Sequence, residues 1–292
     1  MSLRIQMLQV ARRGVLALGD SAELVRRYLS KTLDGGGAGT DRDGRPDLYY
    51  TIFALAGLQA VSGVIPEEKV RGYLSGFGDG EGLDFVHLGA LARCWAAVGG
   101  FQKNLAAKIL ERLETFRARD GGYDGEPRSE HGNAYGCFVA LGAYQDLGMR
   151  MPQELRVVQS LKCLETPDGA WGNAAGLMKG STNPTAAAVT LLHQLEMPVS
   201  DVVANWLLSQ WHGQGGFLAM PQAPFPDLLS TATALHALSC LGVQLNGTQR
   251  ESGLEFLDSL WTAEGGFHGH WADDCLDAEY TFYGLLALGH LT

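Results

Sequence analysis

The sequence contains no stretch rich in lysine and arginine, and acidic residues outnumber basic ones by 32 to 22. A nucleic-acid-binding protein needs a basic face that follows the phosphates, so the net charge of −10 argues against such a partner. The five cysteines form no CxxC pair, and their number is odd, which favours a reducing compartment over a disulfide framework. These features predict a cytoplasmic protein that binds no nucleic acid.

Long apolar runs are also missing. No uninterrupted run approaches the roughly 18 residues needed to cross a bilayer, so we expect no transmembrane segment. Near the N-terminus, arginines interrupt any signal-peptide core, while apolar or small residues recur at helical spacing. These are Leu3, Met7, Val10, Gly14 and Leu18. We predict that residues 1–20 form an amphipathic helix docked on the domain, and binding to a membrane surface is the alternative.

Glycine is abundant, with 39 residues, and its placement is periodic. A glycine-rich turn followed by an aromatic residue recurs every 42 to 50 residues. The copies are Asp120–Tyr123, Asp168–Trp171, Gln214–Phe217 and Glu264–Phe267, with weaker ones at 34–37 and 78–82. Such a period indicates an array of supersecondary units. We predict one domain over 1–292, with repeats near 21–62, 63–99, 100–147, 148–196, 197–243 and 244–292.

Each unit contains two helices of different character. Amphipathic helices are predicted at 22–33, 66–75, 102–118, 153–165, 199–212 and 249–262. Helices that are apolar on nearly every face begin near Asp47, Asp84, His131, Thr182, Asp227 and Asp277. A helix that is apolar all round must be buried all round, so we predict an all-α, closed α6/α6 barrel with these helices inside. An open solenoid is the alternative, but it needs polar caps at both ends.

The repeated order places the N-termini of all six inner helices around one mouth of the barrel, together with their unpaired N–H groups. Aromatic residues cluster near these helix starts: Tyr49, Tyr50, Phe53, Phe85, Tyr135, Trp271, Tyr280, Phe282 and Tyr283. If these residues line an apolar pocket, the faces of their rings can stabilise a carbocation there. Core packing is the alternative for several of them.

Acidic residues stand at the same helix starts. Asp47, Asp84 and Asp227 are expected to act as N-caps, for which Asp is a favoured residue. Glu279 differs, because it lies just inside an apolar helix that Asp277 begins. Burial raises the pKa of a carboxyl group, so Glu279 is a candidate proton donor, with Asp277 as its acid–base partner.

Residues 268–279 form the densest polar cluster in the chain. His268, His270, Asp274 and Cys275 are candidate ligands for a metal ion, and Asp227 is a further candidate. Their spacing, however, matches no standard zinc pattern. A solvated loop that ends in an N-cap is the alternative. We predict no metal and no other cofactor, and leave zinc or magnesium open.

A second polar cluster surrounds His131. A histidine near a helix N-terminus binds anions together with neighbouring cations, and Arg128 and Lys179 lie in adjoining loops. The three residues therefore predict a cradle for a phosphate head group, and an ordinary surface histidine is the alternative.

The repeated Gly-Gly-aromatic turns and small-residue inner helices resemble the α/α-toroid superfamily of protein prenyltransferase β subunits and squalene–hopene-type terpene cyclases. The similarity covers nearly the full length, and residues 207–217 are its best example. Residues 130–132 with Cys137 are similar to the prenyltransferase segment whose histidine contacts an isoprenoid diphosphate. The resemblance implies an isoprenoid ligand and a helical protein partner on the barrel rim.

The sequence departs from the zinc-dependent prenyltransferase pattern at the metal ligands. Leu229 stands where that pattern has a cysteine after Asp227, and Tyr280 stands where it has a histidine. Zinc-dependent protein prenylation is therefore not expected. Residues 277–279 loosely resemble the acid motif of proton-initiated cyclases, with Glu279 at the position of the protonating acid.

These observations predict a protein that holds an isoprenoid or other long apolar molecule in a central cavity and transfers or cyclises it. A non-catalytic lipid- or peptide-binding module of the same fold is the first alternative. A β-type subunit that acts with a helical partner is the second.

Overall fold

Thirteen α-helices make up the regular structure, and the computed structural model describes all residues, 1–292. Helix α1 (Leu3–Leu18) precedes six helical pairs. The outer members of the pairs are α2 (Ala22–Lys31), α4 (Glu67–Ser75), α6 (Lys103–Glu114), α8 (Glu154–Lys162), α10 (Asp201–Ser209) and α12 (Gly247–Leu260). The inner members are α3 (Leu48–Ala60), α5 (Phe85–Val98), α7 (Ala134–Asp146), α9 (Thr182–Gln194), α11 (Leu228–Cys240) and α13 (Ala278–Leu291).

The inner helices form a closed ring. Each packs against the next in chain order, and α13 returns to pack against α3. Outer helices pack on the outside of this ring and bury a single stripe; α4, for example, buries Val70 and Leu74. Inner helices bury most of their length, as α11 does from Leu228 to Leu238. The predicted α/α toroid of six repeats is confirmed, and the contact between α13 and α3 excludes an open solenoid.

The glycine-rich turns connect the outer and inner helices within a repeat, and they pack on the outer helix of the following repeat. Gly265 has φ of +94°, and a Cβ there would lie 2.3 Å from the carbonyl oxygen of Leu24 in the first outer helix. Gly215 has φ of +89°, and its Cβ would lie 2.1 Å from the carbonyl oxygen of Ser252. Only glycine tolerates both the positive φ and this close approach of another backbone. The turn of the last repeat thus packs on the first repeat, which seals the ring.

All six inner helices run in the same direction. At their N-terminal ends, α3 contacts α13 through Tyr49 and Glu279, and Asn183 of α9 contacts Ser230 of α11. At the other end, Gln145 of α7 contacts Gln194 of α9. The six N-termini therefore surround one mouth of the barrel.

Side-chain caps start five of these helices. The carboxylates of Asp47, Asp84, Asp227 and Asp277 accept N–H bonds of 2.7–2.9 Å from the residue three positions on, and Asn133 does the same for α7. These bonds satisfy N–H groups that have no partner within the helix. The capping role predicted for Asp47, Asp84 and Asp227 is observed.

Helix α1 lies across the opposite end of the barrel. Its Leu3 N–H bonds to Gln145 at 2.8 Å, and the Nε of Arg12 donates to the carbonyl of Gln59 at 3.4 Å. Gly14 packs closely on the backbone of α13, where a Cβ would lie 2.1 Å from the carbonyl oxygen of Leu285. The predicted docking of the N-terminal amphipathic helix is confirmed, and it closes one end of the ring. None of the helices has the length and apolar character required to traverse a bilayer.

Candidate functional site

A cavity of about 400 Å³ lies along the barrel axis. Its walls come from all six inner helices, and Arg4, Met7 and Leu8 of α1 contribute to its floor. Most of its lining is hydrophobic. A concave, mainly apolar cavity of roughly 300–1,000 Å³ with a few polar groups is typical of small-molecule sites.

The lining residues fall into layers that follow the repeat. The rim layer is the second residue after each N-cap: Tyr49, Val86, Tyr135, Asn183, Leu229 and Glu279. The middle layer comes from the fifth and sixth residues: Ile52, Phe53, Gly89, Ala90, Phe138, Val139, Ala186, Ala187, Thr233, Phe282 and Tyr283. The ninth residue supplies a deeper layer of Ala56, Arg93, Thr190, His236 and Leu286. The cavity thus has a partly polar rim, an apolar and aromatic middle, and polar groups near its floor.

Glu279 is the acid of the rim layer. The Tyr49 hydroxyl donates to its Oε1 at 2.5 Å, and its Oε2 makes no hydrogen bond. Burial raises the pKa of Glu279 to about 7, and the nearby Asp277 charge adds to this, while the Tyr49 bond and Arg42 oppose it. At neutral pH the carboxyl group is therefore divided between its protonated and ionised forms.

Aromatic rings surround the middle of the cavity below Glu279. Phe53 packs edge-on against Tyr49 with ring centroids 5.1 Å apart, and its centroid lies 5.5 Å from that of Tyr283. Burial raises the pKa of the Tyr283 hydroxyl well above its usual value, so this ring stays neutral. Tyr135 and Phe138 extend the aromatic lining on α7. The predicted rings Tyr49, Phe53, Tyr135 and Tyr283 are thus brought together around one space.

Asp277 lies beside this space and does not line it. Its carboxylate caps α13 and accepts a 2.8 Å bond from the Nε of Arg42, which also pairs with Asp273 at 3.0 Å. Burial raises the pKa of Asp277, against the lowering effect of its hydrogen bonds and of Arg42. The Arg42 guanidinium lies 5.4 Å from the centre of the Tyr280 ring. Asp277 therefore affects Glu279 through its charge and contacts the cap and Arg42 directly.

Several other predicted aromatic residues point away from the cavity. Phe85 is the first residue after its cap and packs in the core against Phe116 and Tyr123. Tyr50 and Tyr280 are third after their caps, and neither lines the cavity. Trp271 lies in the loop before α13, where its indole N–H bonds to Ser259 on the outer helix α12 at 2.9 Å. Helical geometry turns the first and third positions away from the direction of the second.

The predicted phosphate cradle is not assembled at the cavity. The side chain of His131 is 59% exposed, and its Nδ1 lies 3.5 Å from Asp120. Helix α7 is capped by Asn133, so His131 lies two residues before the cap and outside the helix. Arg128 is exposed, Lys179 lines a separate surface groove, and no contact joins them to each other or to His131.

Cys137, in the same segment, is buried. Its Sγ accepts the N–H of Tyr123 at 3.4 Å. The hydroxyls of Thr185 and Thr231 accept the equivalent N–H groups of Trp171 and Phe217. The cysteine thus has the structural role that threonine has in other repeats.

The candidate metal ligands do not converge. No group of three or more His, Cys, Asp or Glu side chains is arranged to hold a metal ion. His268 bonds through Nδ1 to the carbonyl of Cys275 at 3.1 Å, and Asp227 caps α11. His270 packs beside Phe225, and the exposed Asp274 makes no side-chain bond. The donor set therefore does not fit zinc or magnesium.

Sequence reasoning missed the polar residues of the deep layer. Arg93, Thr190 and His236 were not singled out, although each is the ninth residue after its N-cap. Counting from the six caps would have found them, because equivalent positions of a repeat face the same way. The contribution of Arg4 depends on how α1 docks, which no local pattern encodes.

Comparison with known proteins gives a family and several similar folds. Residues 6–75 and 185–291 match the family described as prenyltransferase alpha-alpha toroid domain. None of the curated protein sequences matches the chain.

Among solved structures, protein geranylgeranyltransferase-I from Candida albicans, complexed with GGPP, superposes with a TM-score of 0.66. The two are 13% identical, and the alignment covers 92% of this chain and 90% of that one. A type II terpene cyclase from Scytonema, in complex with geranylgeranyl dihydroxybenzoate, has a TM-score of 0.64 and 14% identity, covering 95% and 97% of the chains. A glycosidase variant has a TM-score of 0.54 and 14% identity, covering 97% and 96%. These similarities establish the fold only. The chemistry has to be inferred from the residues of the site.

Proposed function

Because the chain belongs to the prenyltransferase alpha-alpha toroid family, we propose that it is an enzyme that binds an isoprenoid chain in its central cavity and cyclises it by proton transfer from Glu279. The observation that carries this proposal is the position of Glu279. It is a carboxyl group with a pKa of about 7 at the rim of an apolar cavity that aromatic rings surround. The two solved relatives with isoprenoid-derived ligands share the fold and support the choice of substrate class.

The reaction begins with the proton on Glu279. It adds to one carbon of a trisubstituted double bond and leaves a tertiary carbocation on the other carbon. A second double bond of the chain attacks that cation, which forms a carbon–carbon bond and moves the positive charge along the chain. Loss of a proton to water ends the sequence, so the product is an isomer of the substrate and solvent reprotonates Glu279. No metal or oxidant is required.

The surroundings of Glu279 suit this step in two ways. Burial keeps the carboxyl group protonated at a pH where an exposed one is ionised, and the Tyr49 bond to Oε1 stabilises the carboxylate that forms on proton transfer. The free Oε2 is the oxygen that donates the proton. Phe53, Tyr135 and Tyr283 line the space through which the positive charge then moves, and aromatic rings stabilise a cation that meets their faces.

Prenylation of a protein cysteine is not proposed. By the resemblance, Leu229 and Tyr280 stand where zinc-dependent prenyltransferases have metal ligands, and Leu229 lines the cavity as an apolar side chain.

The proposal is tested by incubating the protein with farnesyl and geranylgeranyl alcohols and diphosphates and analysing extracts by gas chromatography and mass spectrometry. Wild type should yield cyclic isomers, and Glu279→Gln should yield none although its melting temperature is no lower than that of wild type. Glu255→Gln, at an exposed position of the outer helix α12, is the matched control and should retain full turnover. Equal turnover in Glu279→Gln would refute the role of Glu279.

Native mass spectrometry of the freshly purified protein addresses the alternatives. A bound lipid with no product formed would indicate a binding module, and a second helical chain in the assembly would indicate a β-type subunit. Zinc at one equivalent per chain would make zinc-dependent prenyl transfer the favoured reaction instead.

A further inference from the structure

Two arginines near the cavity floor share one carboxylate. Arg4 of α1 donates through Nε to Asp146 Oδ1 at 3.2 Å, and Arg93 of α5 donates through Nε to Asp146 Oδ2 at 3.1 Å. The Asp146 side chain is 2% exposed, whereas Arg4 and Arg93 are 19% and 21% exposed. Both arginines line the cavity. The group therefore carries a net positive charge at the edge of an apolar space.

The hydrogen-bonding capacity of these arginines is largely unused. Each guanidinium has five N–H donors, and in both residues only the Nε is bonded to another protein group. The Nη atoms of Arg4 and Arg93 have no protein partner, and none of them is sealed from the cavity or solvent. These Nη groups are therefore open to bind an anion that enters the cavity.

The position of the pair relative to Glu279 defines the length of the ligand. Arg93 is the ninth residue after its N-cap and Glu279 is the second after its own, in parallel helices of one ring. Seven residues at about 1.5 Å each place Arg93 roughly 10 Å deeper along the barrel axis. His236 is at the same level as Arg93, is 4% exposed, and has an Nε2 atom without a hydrogen-bond partner. Polar groups that lack partners thus gather at the end of the cavity away from Glu279.

We infer that the floor of the cavity binds an anionic end group of the ligand, a carboxylate or a phosphate, through the Nη groups of Arg4 and Arg93. The inference rests on the proposed function, because it names the class of isoprenoid that the cavity accepts. An anion forms paired hydrogen bonds with the planar guanidinium groups and balances their excess charge.

This placement decides which end of the isoprenoid reacts. With the anionic group at Arg4 and Arg93, the distant end of the chain lies near Glu279. The protonated double bond is then the one remote from the anion, and the anionic group stays on the product. A phosphate is here a means of binding and not a leaving group.

Calorimetric titration with three probes of equal chain length tests the inference: farnesol, farnesoic acid and farnesyl phosphate. Wild type should bind at least one of the two anions about tenfold more tightly than farnesol, because a hydrogen bond to a charged group is worth about tenfold in affinity. The anion that is preferred distinguishes a carboxylate ligand from a phosphate ligand.

Arg93→Gln and Arg4→Gln should each abolish this preference, so that the affinity for the anion falls to that for farnesol. Each substitution leaves the other arginine paired with Asp146, so the carboxylate stays compensated and folding is retained. Arg150→Gln, at a side chain that is 85% exposed and paired only with Glu154, is the control and should keep the preference.

Equal affinity of wild type for all three probes, or no binding of any of them, would overturn the inference. A preference for the anion that survives in both cavity variants would do the same. Because binding is measured without turnover, anion-selective binding with no cyclic product would refute the proposed reaction and leave the anion site standing.

Discussion

The Tyr49 hydroxyl donates a 2.5 Å hydrogen bond to Glu279 where the first inner helix meets the last. The two residues are 230 positions apart in the chain, and each is the second residue after an N-cap. The bond therefore exists only because the ring of helices closes. Closure of the ring is therefore what brings Tyr49 within hydrogen-bonding distance of the candidate acid.

Tyr49→Phe should raise the pKa of Glu279 above its present value of about 7. The variant removes a hydrogen bond that stabilises the carboxylate, so the protonated form persists to higher pH. If activity requires the protonated acid, kcat/KM falls as pH rises through this pKa, and the fall in Tyr49→Phe moves to higher pH. A pH–rate profile measures the shift. Tyr73→Phe, in the outer helix α4, should leave the profile unchanged, and coincident profiles for wild type and Tyr49→Phe would contradict the prediction.

Glu279 should also make folding stability depend on pH. Its pKa is about 7 in the folded protein against 4.5 for an unperturbed glutamate, so the folded state binds more protons between these values. Its contribution to stability is therefore complete below pH 4.5 and is lost as pH rises through 7. Glu279→Gln does not undergo this loss. Above pH 7 its free energy of unfolding should therefore exceed that of wild type by up to about 3 kcal/mol. Urea unfolding of both proteins at several pH values measures the difference, and parallel stability curves would contradict the prediction.

Asp277 and Arg42 should shift the pKa of Glu279 in opposite directions. Asp277→Asn keeps an effective N-cap and removes a neighbouring negative charge, so the pKa of Glu279 should fall. Arg42→Gln removes a positive charge that favours the carboxylate, so the pKa should rise. The pH–rate profile of each variant gives the sign. Shifts of the same sign would show that these charges do not act on Glu279.

Much of the fold could be predicted from the repeated turns, because a glycine-rich turn after an amphipathic helix and before an apolar one leaves few arrangements. Part of the cavity followed as well, and Tyr49, Phe53 and Tyr283 line it as expected. Clustering alone did not separate Tyr49 from its neighbour Tyr50, since that distinction needs the exact register of the cap. Asp47, the N-cap of α3, provides this register, and counting from it places Tyr49 on the cavity side and Tyr50 away from it.

The remaining site residues depend on long-range packing. Asp146 has a buried side chain at the end of α7, where α1 and α5 each bring an arginine to it. Conversely, Arg128 and Lys179 are charged residues in loops that stay exposed, and His131 precedes its helix. Charge near a helix start is visible in a sequence, whereas the direction in which a loop carries that charge is decided by tertiary contacts.

His131→Ala should leave turnover and anion preference nearly unchanged, because the exposed imidazole does not line the cavity. Steady-state kinetics and titration with farnesyl phosphate measure both. A large loss of affinity for farnesyl phosphate, with no loss for farnesol, would show that the loop of His131 binds the head group instead of the cavity floor.

Asp146→Asn should lower the free energy of unfolding by about 3 kcal/mol, because it leaves two partly buried guanidinium groups without their shared counter-charge. Arg4→Gln should cost about 1 kcal/mol, since Asp146 keeps one partner. Chemical denaturation ranks the two variants. Similar losses in both would show that the shared carboxylate is not the main stabilising element.

Gly265→Ala tests whether the last turn seals the ring. Its positive φ alone costs alanine about 1–2 kcal/mol. The contact with the backbone of Leu24 should add about 1–3 kcal/mol, because the closing turn has to move away from the first outer helix. Gly44→Ala is the matched control, since Gly44 has φ of +79° and no atom within 4 Å of an added Cβ. Thermal unfolding should therefore show a clearly larger loss for Gly265→Ala than for Gly44→Ala. Equal losses would mean that strain in φ accounts for the whole effect and that contact with the first repeat adds nothing to closure.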